Sequence, residues 1–365
     1  MKSSYMKILY IAPLPPPING HSLVSKEFYD SISAKHNVEV INLRKQSLKE
    51  GMDSIQRIVE ILKVLARTFF KKSKTDAVYF TISESLAGNL KDVLIYMICF
   101  NLLPKMYIHL HGGSLKRLLF DKYPWVFILN RFFIKRVGGV ILSGDSHLEI
   151  FRDYVDRKKI SIIPNFAQDY LFLSEKTIRR KFDQPSPIRL LFISNMIPLK
   201  GYLILLEGFL ALKADLQKKY VLEFAGRFDT EEERSIFEEK IKGKKNIRYH
   251  GLIDDTKKKE LFEKAHIFCL PTMFFEGQPI SILEAYAAGC AVITTGQSGI
   301  LDIFTDQVNG FQIRENSPES LTKILSDLLV EQKSLLKIAL YNNRSAVEKY
   351  RVVTYTSNLK KVIGL

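Results

Sequence analysis

The chain has 365 residues, of which 46% are hydrophobic and 25% are charged. This balance excludes a disordered polypeptide, and the length favours two domains of ordinary size over a single core. The net charge of +15, most of it in the first half, favours an anionic partner such as nucleic acid, a membrane surface or a phosphorylated acceptor.

Short apolar runs alternate with helical patterns, which is typical of α/β domains built on parallel sheets. The strands predicted in the first half are 8–12, 38–43, 77–82, 106–110, 140–143 and 160–163. The predicted helices are 21–35, 55–72, 89–102, 115–136 and 146–155.

The second half repeats this alternation after 183–187, which is interpreted as a linker because its two prolines stop either pattern. Its predicted strands are 188–193, 221–225, 247–249, 267–270 and 291–294. Its predicted helices are 201–218, 230–242, 256–264, 279–288 and 318–331. We predict an acceptor-side domain over 1–180, a donor-binding domain over 187–345, and a C-terminal helix over 346–365 that crosses back to the first domain.

The chain contains three cysteines, Cys99, Cys269 and Cys290, set in apolar runs without metal-site spacing. They are interpreted as buried thiols of a reducing compartment. The start of the chain lacks the apolar core of a signal peptide, and the most apolar run, 93–103, is too short to cross a bilayer. We predict a cytoplasmic protein and keep a peripheral position at the inner face of the cell membrane as an open alternative.

The most informative stretch is a loop with Glu276-Gly277, a short helical pattern with a second acid, Glu284, and a buried-strand run. Helix N-termini attract phosphate, and carboxylates accept hydrogen bonds from sugar hydroxyls, so the stretch indicates nucleotide-sugar binding. A glycosidase pair is disfavoured, because helix throughout would separate the carboxyls by about 12 Å, beyond the roughly 5 to 9.5 Å of hydrolases.

In order and spacing, these segments resemble the retaining family 4 glycosyltransferases of the GT-B fold (glycosyl transferases group 1), most specifically over 192–311. The resemblance implies an α/β fold of two Rossmann-like doubly wound domains facing across an interdomain cleft. The two glutamates of the family motif match Glu276 and Glu284. By resemblance, Glu276 lies near the transferred sugar and Glu284 holds the ribose hydroxyls.

The family's Gly-Arg-x-x-x-x-Lys-Gly loop matches this chain in part. Lys200 is retained and is the expected ligand of the donor diphosphate, whereas Ser194 and Asn195 replace the glycine and the arginine. Asn195 offers only a neutral donor where the family has a second cation, and Arg227 is a speculative substitute.

The remaining donor-binding residues are also assigned by resemblance. The backbone of the loop after Glu276 is expected to contact sugar and phosphate, although Pro279 has no N–H to donate; the loop comprises Gly277, Gln278, Pro279 and Ile280. Further matches are 298–303 and 309–311.

In the first domain, Asn19-Gly20 corresponds to the family's glycine-rich loop beneath the diphosphate, with Asn19 in place of one glycine. His111, followed by two glycines, resembles the family's His-Gly pair and is expected near the donor sugar. His109 is interpreted as a strand histidine that faces the opposite side. Asn165 matches the Pro-Asn pair that closes the first domain.

Two basic stretches, 55–74 and 115–137, mix cations with large apolar residues. Crossover helices with solvated basic edges are the simpler interpretation, and we favour it slightly for the first stretch. In the second, aromatic residues beside arginine and lysine fit contact with anionic lipid, where a lipid-linked acceptor would meet the first domain.

We predict a hexosyltransferase-type glycosyltransferase (EC 2.4) with His111, Lys200 and Glu276 in catalytic roles. It would move a sugar, retaining configuration, from a nucleotide-diphosphate sugar to a glycan or lipid-linked acceptor hydroxyl in bacterial surface polysaccharide biosynthesis. A UDP-sugar is the guess from family frequency. No cofactor or metal is expected, since the chain has no Asp-x-Asp.

Two other functions stay open. One is a nucleotide-sugar epimerase on the same GT-B scaffold. The other is a non-catalytic nucleotide-sugar-binding protein, which the replacements at Ser194 and Asn195 suggest. Nucleic-acid binding is disfavoured, because the basic residues form no recognised module.

Overall fold

The computed structural model describes residues 5–16, 18–43, 54–183, 187–329 and 332–365. The chain divides into two compact units. The first unit comprises Met1–Asn165, Glu276–Gln278 and Val353–Leu365, and the second comprises Phe166–Phe275 and Pro279–Val352.

The sheet of the first unit has six parallel strands in the order β2-β1-β3-β4-β5-β6. They are β1 (Lys7–Ala12), β2 (Asn37–Asn42), β3 (Ala77–Thr81), β4 (Met106–Leu110), β5 (Gly139–Leu142) and β6 (Ile160–Ile162). The central strands β3 and β5 are buried along their whole length, which explains why they are continuous apolar runs rather than alternating patterns.

The sheet of the second unit also has six parallel strands, in the order β12-β11-β10-β7-β8-β9. They are β7 (Ile188–Ile193), β8 (Tyr220–Ala225), β9 (Ile247–Tyr249), β10 (Ile267–Leu270), β11 (Ala291–Thr295) and β12 (Gly310–Ile313). Counted from β7, this is the 3-2-1-4-5-6 order of dinucleotide-binding domains, whereas the first five strands of the other sheet follow the 2-1-3-4-5 order.

The α-helices of the described residues connect these strands. In chain order they are α1 (Gly20–Ser33), α2 (Ser54–Lys71), α3 (Leu86–Ile98), α4 (Pro124–Ile134), α5 (Glu175–Phe182), α6 (Tyr202–Leu210), α7 (Ala214–Gln217), α8 (Glu231–Ile241), α9 (Asp255–Lys264), α10 (Ile280–Ala287), α11 (Pro318–Leu328), α12 (Gln332–Lys349) and α13 (Val352–Ile363). Within the described ranges, every helix is too short or too polar to span a membrane.

The observed division of the chain differs from the predicted ranges at residue 165. Helix α5 follows this point and packs in the second unit, where Lys181 donates to the carbonyl of Ala288 (2.8 Å) and Ile178 lies against Gly289. Of the predicted linker 183–187, residues 184–186 lie outside the described residues. At the C-terminus, residues Val353–Leu365 belong to the first unit, and Tyr355 of α13 is buried.

Three predicted helices are wrong in extent. The helix expected over 115–136 is a π-helical turn, Leu115–Phe120, followed by α4, because Pro124 occupies the first turn of a new helix. The segment 146–155 contains only the 3₁₀ turn Asp145–Ile150, and 201–218 divides into α6 and α7.

Strand β12 and helices α5 and α12 were not predicted. Strand β12 begins at Gly310, whose φ is +151° and whose Cβ, if present, would lie 1.8 Å from the carbonyl oxygen of Val292. Glycine is therefore required where the strand starts, and this glycine made the segment look like a turn alone.

Candidate functional site

The strand order of the second unit identifies where its loops can form a site. The chain leaves β7 and β10 in opposite directions along the sheet, so this adjacent pair is a topological switch point. Ligands of doubly wound domains bind outside the carboxyl ends of the strands at such a point. The loops that follow these two strands are 194–201 and 271–279.

The two loops are joined through one backbone carbonyl. The oxygen of Leu199 accepts the N–H groups of Met273 (2.7 Å) and Phe274 (3.2 Å). Gly201 has φ +83°, and a Cβ there would lie 1.9 Å from the carbonyl oxygen of Pro271. The glycine of the Lys-Gly pair is thus required both for its left-handed conformation and for the close approach of the neighbouring loop.

Lys200 lies between this junction and the N-terminus of α6. Its ammonium is 4.7 Å from the ring centroid of Phe274, which is cation–π distance. Asn195 is exposed in the same loop. The N–H of Met196 donates to the carbonyl of Arg227 (2.9 Å). The backbone of Arg227 therefore lies beside the loop in which Asn195 replaces the family's arginine.

Helix α10 places Glu284 in the interior of the second unit. The helix follows Pro279 and has no side-chain cap at its N-terminus. Glu284 is 1% exposed, and the Nζ of Lys258 lies 2.5 Å from its Oε1. Burial raises the pKa of Glu284, while Lys258 acts in the opposite direction. Glu284 is therefore a buried acid with one cationic partner.

Asp255 adds a second carboxylate to this cluster. It raises the pKa of Glu284 further, although less than burial does. The hydroxyl of Tyr170 donates to Oδ1 of Asp255 (2.8 Å). The cluster around Glu284 therefore combines two acids, one ammonium and one phenol.

The relation of Glu276 to α10 differs from the one assumed in the sequence argument. The helix begins at Ile280, so Glu276 lies in the preceding loop. Helix does not run between the two acids, so the predicted separation of about 12 Å, which disfavoured a glycosidase pair, does not apply. Glu276 is 8% exposed and belongs to the first unit.

The switch point of the first unit lies between β1 and β3, and a histidine cluster stands close to it. The ring of His111 is 4.5 Å from that of His21, which follows Gly20 at the start of α1, and 3.8 Å from that of His109. The expectation that His109 faces the other side is wrong, because residues two apart on a strand share a face.

The imidazoles of His109 and His111 are kept neutral. Burial lowers the pKa of His109 to about 3 and holds the pKa of His111 well below its ordinary value. The hydroxyl of Tyr79 is 2.7 Å from Nδ1 of His109. Both ring nitrogens of His111 lack a hydrogen-bond partner within the described part of the chain. Neutral imidazole nitrogens suit an uncharged polar ligand such as a sugar.

Asn19 takes part in the local fold of the same region. Its side chain accepts the N–H of Ser22 (2.9 Å), and the hydroxyl of Ser22 accepts the N–H of Asn19 (3.0 Å). This capping box fixes the start of α1. Asparagine in place of the family's glycine is therefore explained by helix capping.

Sequence reasoning missed Glu84, which follows β3. Its Oε1 accepts the N–H of Ser114 (2.6 Å), and a Cβ on Gly112 would lie 1.7 Å from its Oε2. Burial raises the pKa of this carboxyl. Glu84 thus holds the loop that follows His111, and applying the strand-end rule to β3 would have found it. Lys258 was also missed, because a lysine in a lysine-rich helix carries no signal in the sequence.

The segment Glu276–Gln278 is bound to the first unit through its backbone and one side chain. Gly277 lies so close to His111 that a Cβ would be 1.8 Å from the His111 carbonyl oxygen. Oε1 of Gln278 accepts the N–H of Asn165 (2.5 Å), and its Nε2 donates to the carbonyl of Ser143 (3.1 Å). The side chain of Gln278 is thus engaged by protein, and the predicted donor contacts of the loop concern its backbone.

Within the described ranges, no cluster of three or more histidine, cysteine or acidic residues has the geometry of a metal site. The three cysteines are buried free thiols, as predicted.

Residues 174–345 match the family model of glycosyl transferases group 1. An uncharacterised glycosyltransferase of Methanocaldococcus jannaschii is 24% identical over 260 residues, which are 67% of this chain and 64% of that protein. The Campylobacter jejuni GalNAc-α-(1→4)-GalNAc-α-(1→3)-diNAcBac-PP-undecaprenol α-1,4-N-acetyl-D-galactosaminyltransferase is 23% identical over 240 residues, which are 64% of this chain and 63% of that enzyme. This chain thus covers less than two thirds of the length of both relatives.

Among solved structures, Anabaena HepE in complex with UDP and glucose superposes with a TM-score of 0.73 at 16% identity, covering 99% of this chain and 100% of HepE. At that identity the likeness concerns the fold. Together with the two six-stranded parallel sheets, it confirms the predicted α/β architecture of GT-B glycosyltransferases with two Rossmann-like domains.

Proposed function

We propose that this chain, which carries a glycosyl transferases group 1 domain over residues 174–345, is a retaining glycosyltransferase of family 4. It moves a sugar from a nucleotide-diphosphate sugar to a glycan or lipid-linked acceptor hydroxyl, in the cytoplasm. HepE was crystallised with UDP-glucose, which supports a UDP-sugar as donor.

The observation that carries the proposal is the junction of the two loops at the switch point of the second unit. Leu199 and Gly201 fix the backbone of the loop that carries Lys200, and this loop leads directly into the N-terminus of α6. A cation and a helix dipole together stabilise the negative charge that develops on a departing nucleoside diphosphate. This arrangement requires no metal ion.

Glu284 supports the nucleotide half of the same proposal. The ammonium of Lys258 forms an ion pair with Oε1 of this carboxyl. In the proposed complex, Oε2 accepts hydrogen bonds from the ribose hydroxyls. The ammonium favours the ionised form of a carboxyl that burial would otherwise protonate.

Retention of configuration follows from the resemblance to family 4. The departing phosphate helps to deprotonate an acceptor hydroxyl that attacks from the same face of the sugar, through an oxocarbenium-like state. We assign Glu276 and the neutral imidazole of His111 to the transferred sugar. Neither group places a full positive charge beside the developing oxocarbenium ion, in keeping with the low pKa of His111.

A lipid-linked acceptor is supported by the exposed surface of the first unit. Helix α3 packs against both α2 and α4, and the three helices together with the turn after α3 expose large apolar side chains. This α2–α4 face comprises Ile58, Leu62, Phe70, Leu94, Met97, Phe100, Trp125, Ile128 and Phe132. Exposed cations of the same helices are Lys63, Arg67 and Arg131, and Lys135 follows directly after α4. Apolar side chains beside cations fit the surface of an anionic membrane.

The pathway we propose is bacterial surface polysaccharide biosynthesis. The Campylobacter relative is named for an undecaprenyl-diphosphate-linked glycan acceptor. Another relative, the poly(glycerol-phosphate) α-glucosyltransferase of Bacillus subtilis, is 25% identical over 255 residues.

The deciding experiment measures sugar transfer by purified protein with a panel of nucleotide sugars and lipid-linked or soluble glycan acceptors. Lys200→Ala and Glu276→Ala should each nearly abolish transfer in a folded protein, while Lys213→Ala, which removes an exposed lysine of the second unit, should not. Unchanged turnover in both site variants would end the proposal.

A reaction without acceptor separates the two open alternatives. An epimerase would convert the donor sugar with no acceptor present, which a transferase would not do. Donor binding measured by calorimetry, without turnover under any condition, would indicate a non-catalytic binding protein.

A further inference from the structure

We infer that Gln278 is a positioning residue that holds Glu276 in place for the transfer reaction. The inference rests on the proposed function, because the role of Glu276 at the transferred sugar comes from there. Gln278 itself touches no reacting atom in this assignment. Its part is to anchor the backbone two residues after the acid.

Three hydrogen bonds of the first unit converge on Gln278. Its Oε1 accepts the N–H of Asn165 (2.5 Å), its Nε2 donates to the carbonyl of Ser143 (3.1 Å), and its backbone carbonyl accepts from Nδ2 of Asn165 (2.9 Å). Gln278 is 5% exposed and Asn165 is 4% exposed. Hydrogen bonds buried to this degree are costly to leave unmade.

The chemistry of the site favours glutamine over residues of similar size. The side chain must accept from one backbone N–H and donate to one backbone carbonyl at the same time, and a primary amide does both. Leucine or methionine would leave both backbone groups of Asn165 and Ser143 unpaired. A carboxylate would satisfy Asn165 but would face the carbonyl oxygen of Ser143 with a second acceptor.

The neighbouring glycine explains why this anchor acts on Glu276. The Cα of Gly277 lies against the backbone of His111, where a Cβ would be only 1.8 Å from the carbonyl oxygen. Gly277 therefore contacts His111 through its backbone, but it has no side chain that could anchor the segment. The hydrogen bonds of Gln278 supply that hold, and loosening them frees the backbone that carries Glu276.

Gln278→Glu tests the inference, because its effect depends on pH. At alkaline pH, the introduced carboxylate repels the Ser143 carbonyl and displaces the segment. At mildly acidic pH the protonated carboxyl donates to Ser143 and restores the bond; burial raises its pKa and brings this change within the assay range. We expect kcat relative to wild type to fall on the order of 100-fold at alkaline pH and to recover at acidic pH. The KM for the donor should change much less.

Gln217→Glu is the matched control. The amide of Gln217 also donates to backbone carbonyls, those of Leu210 (3.0 Å) and Leu212 (2.8 Å), but in the second unit, at the last residue of α7. It should lose thermal stability without a pH-dependent loss of kcat. If both variants lose kcat in parallel with their stability, the positioning role is refuted and only a structural role remains.

Amide hydrogen exchange of the segment around Glu276 gives a readout that does not need activity. Gln278→Glu should raise exchange there at alkaline pH and not at acidic pH, compared with wild type. Unchanged exchange and unchanged kcat would overturn the inference while leaving the proposed function intact. If the wild type transfers no sugar, the proposed function fails, and the exchange measurement alone still decides whether Gln278 holds the segment.

Discussion

The two units share an architecture but use opposite chemistry at their switch points. In the second unit, this region holds ionic groups, namely Lys200 in the loop after β7 and the pair formed by Lys258 of α9 and Glu284 of α10. In the first unit, the corresponding region holds the neutral imidazoles of His109 and His111. The same fold thus presents ionic groups or neutral imidazoles, depending on which side chains follow the strands.

The surfaces of the two units differ as well. Helices of the second unit expose ion pairs between neighbouring turns, such as Arg234–Glu238 on α8 and Lys264–Glu260 on α9. Such pairs contribute little to stability and keep the surface hydrated. The α2–α4 face of the first unit instead exposes aromatic and aliphatic side chains, and the proposed membrane contact rests on this difference.

Gly201→Ala should have the largest effect on stability, because it disrupts the contact between the loops 194–201 and 271–279. The left-handed backbone costs about 1–2 kcal/mol and the forced movement away from Pro271 about 1–3 kcal/mol more. Gly243, with φ +75° and nothing within 4 Å of its ideal Cβ, is the matched control. Urea unfolding should show a loss of about 1–2 kcal/mol for Gly243→Ala, and equal losses in both variants would contradict the loop contact.

Lys258→Met sharpens the comparison by removing the cation beside Glu284. The buried carboxyl then loses its partner, its pKa rises further, and donor KM should increase about tenfold or more. The preference for a nucleoside diphosphate over its 2′-deoxy form should shrink, as measured by calorimetry. Lys257→Met, which removes an ion pair of the helix surface with Glu260, should leave both quantities near wild type. The same preference in both variants would exclude a ribose role for Glu284.

His109 makes the stability of the first unit depend on pH. Its pKa is about 3 in the folded protein, compared with about 6.5 in the unfolded chain. Between these values only the unfolded chain binds the proton, so stability is lost as pH falls, by about 1.4 kcal/mol per pH unit for this group. His109→Gln should reduce the slope of the unfolding free energy between about pH 6 and pH 4 by that amount. An unchanged slope would show that the imidazole of His109 is protonated in the folded protein.

The smallest effect is expected at the α2–α4 face. Ile128→Ser and Phe70→Ser remove side chains that are 65% and 78% exposed and should each weaken binding to anionic vesicles roughly threefold to tenfold, because part of a buried apolar side chain is lost. Leu252→Ser, at an 81% exposed leucine of the second unit, is the control. Equal weakening by all three, or binding independent of anionic lipid, would remove the face from the proposal.

Eleven of the twelve observed strands follow from the sequence. For strands such as β3 and β5 the reason is that a strand buried on both faces is a continuous apolar run whatever surrounds it. The sequence also indicated which polar residues belong to the candidate site, since Lys200, Glu276 and His111 all follow predicted strands. The helix boundary near Pro124 and the strand that begins at Gly310 were harder to predict from the sequence. Each depends on a single residue whose structural effect is determined by its neighbours in the fold.

The pairing of side chains was decided by tertiary structure alone. The contacts of Gln278 with Ser143 and Asn165, and of Lys258 with Glu284, join residues that lie between 26 and 135 positions apart. No local pattern encodes such contacts, because the sequence specifies which groups are polar while the packed fold specifies which polar groups are buried together. Burial then shifts their pKa values, upward for Glu84 and downward for His109.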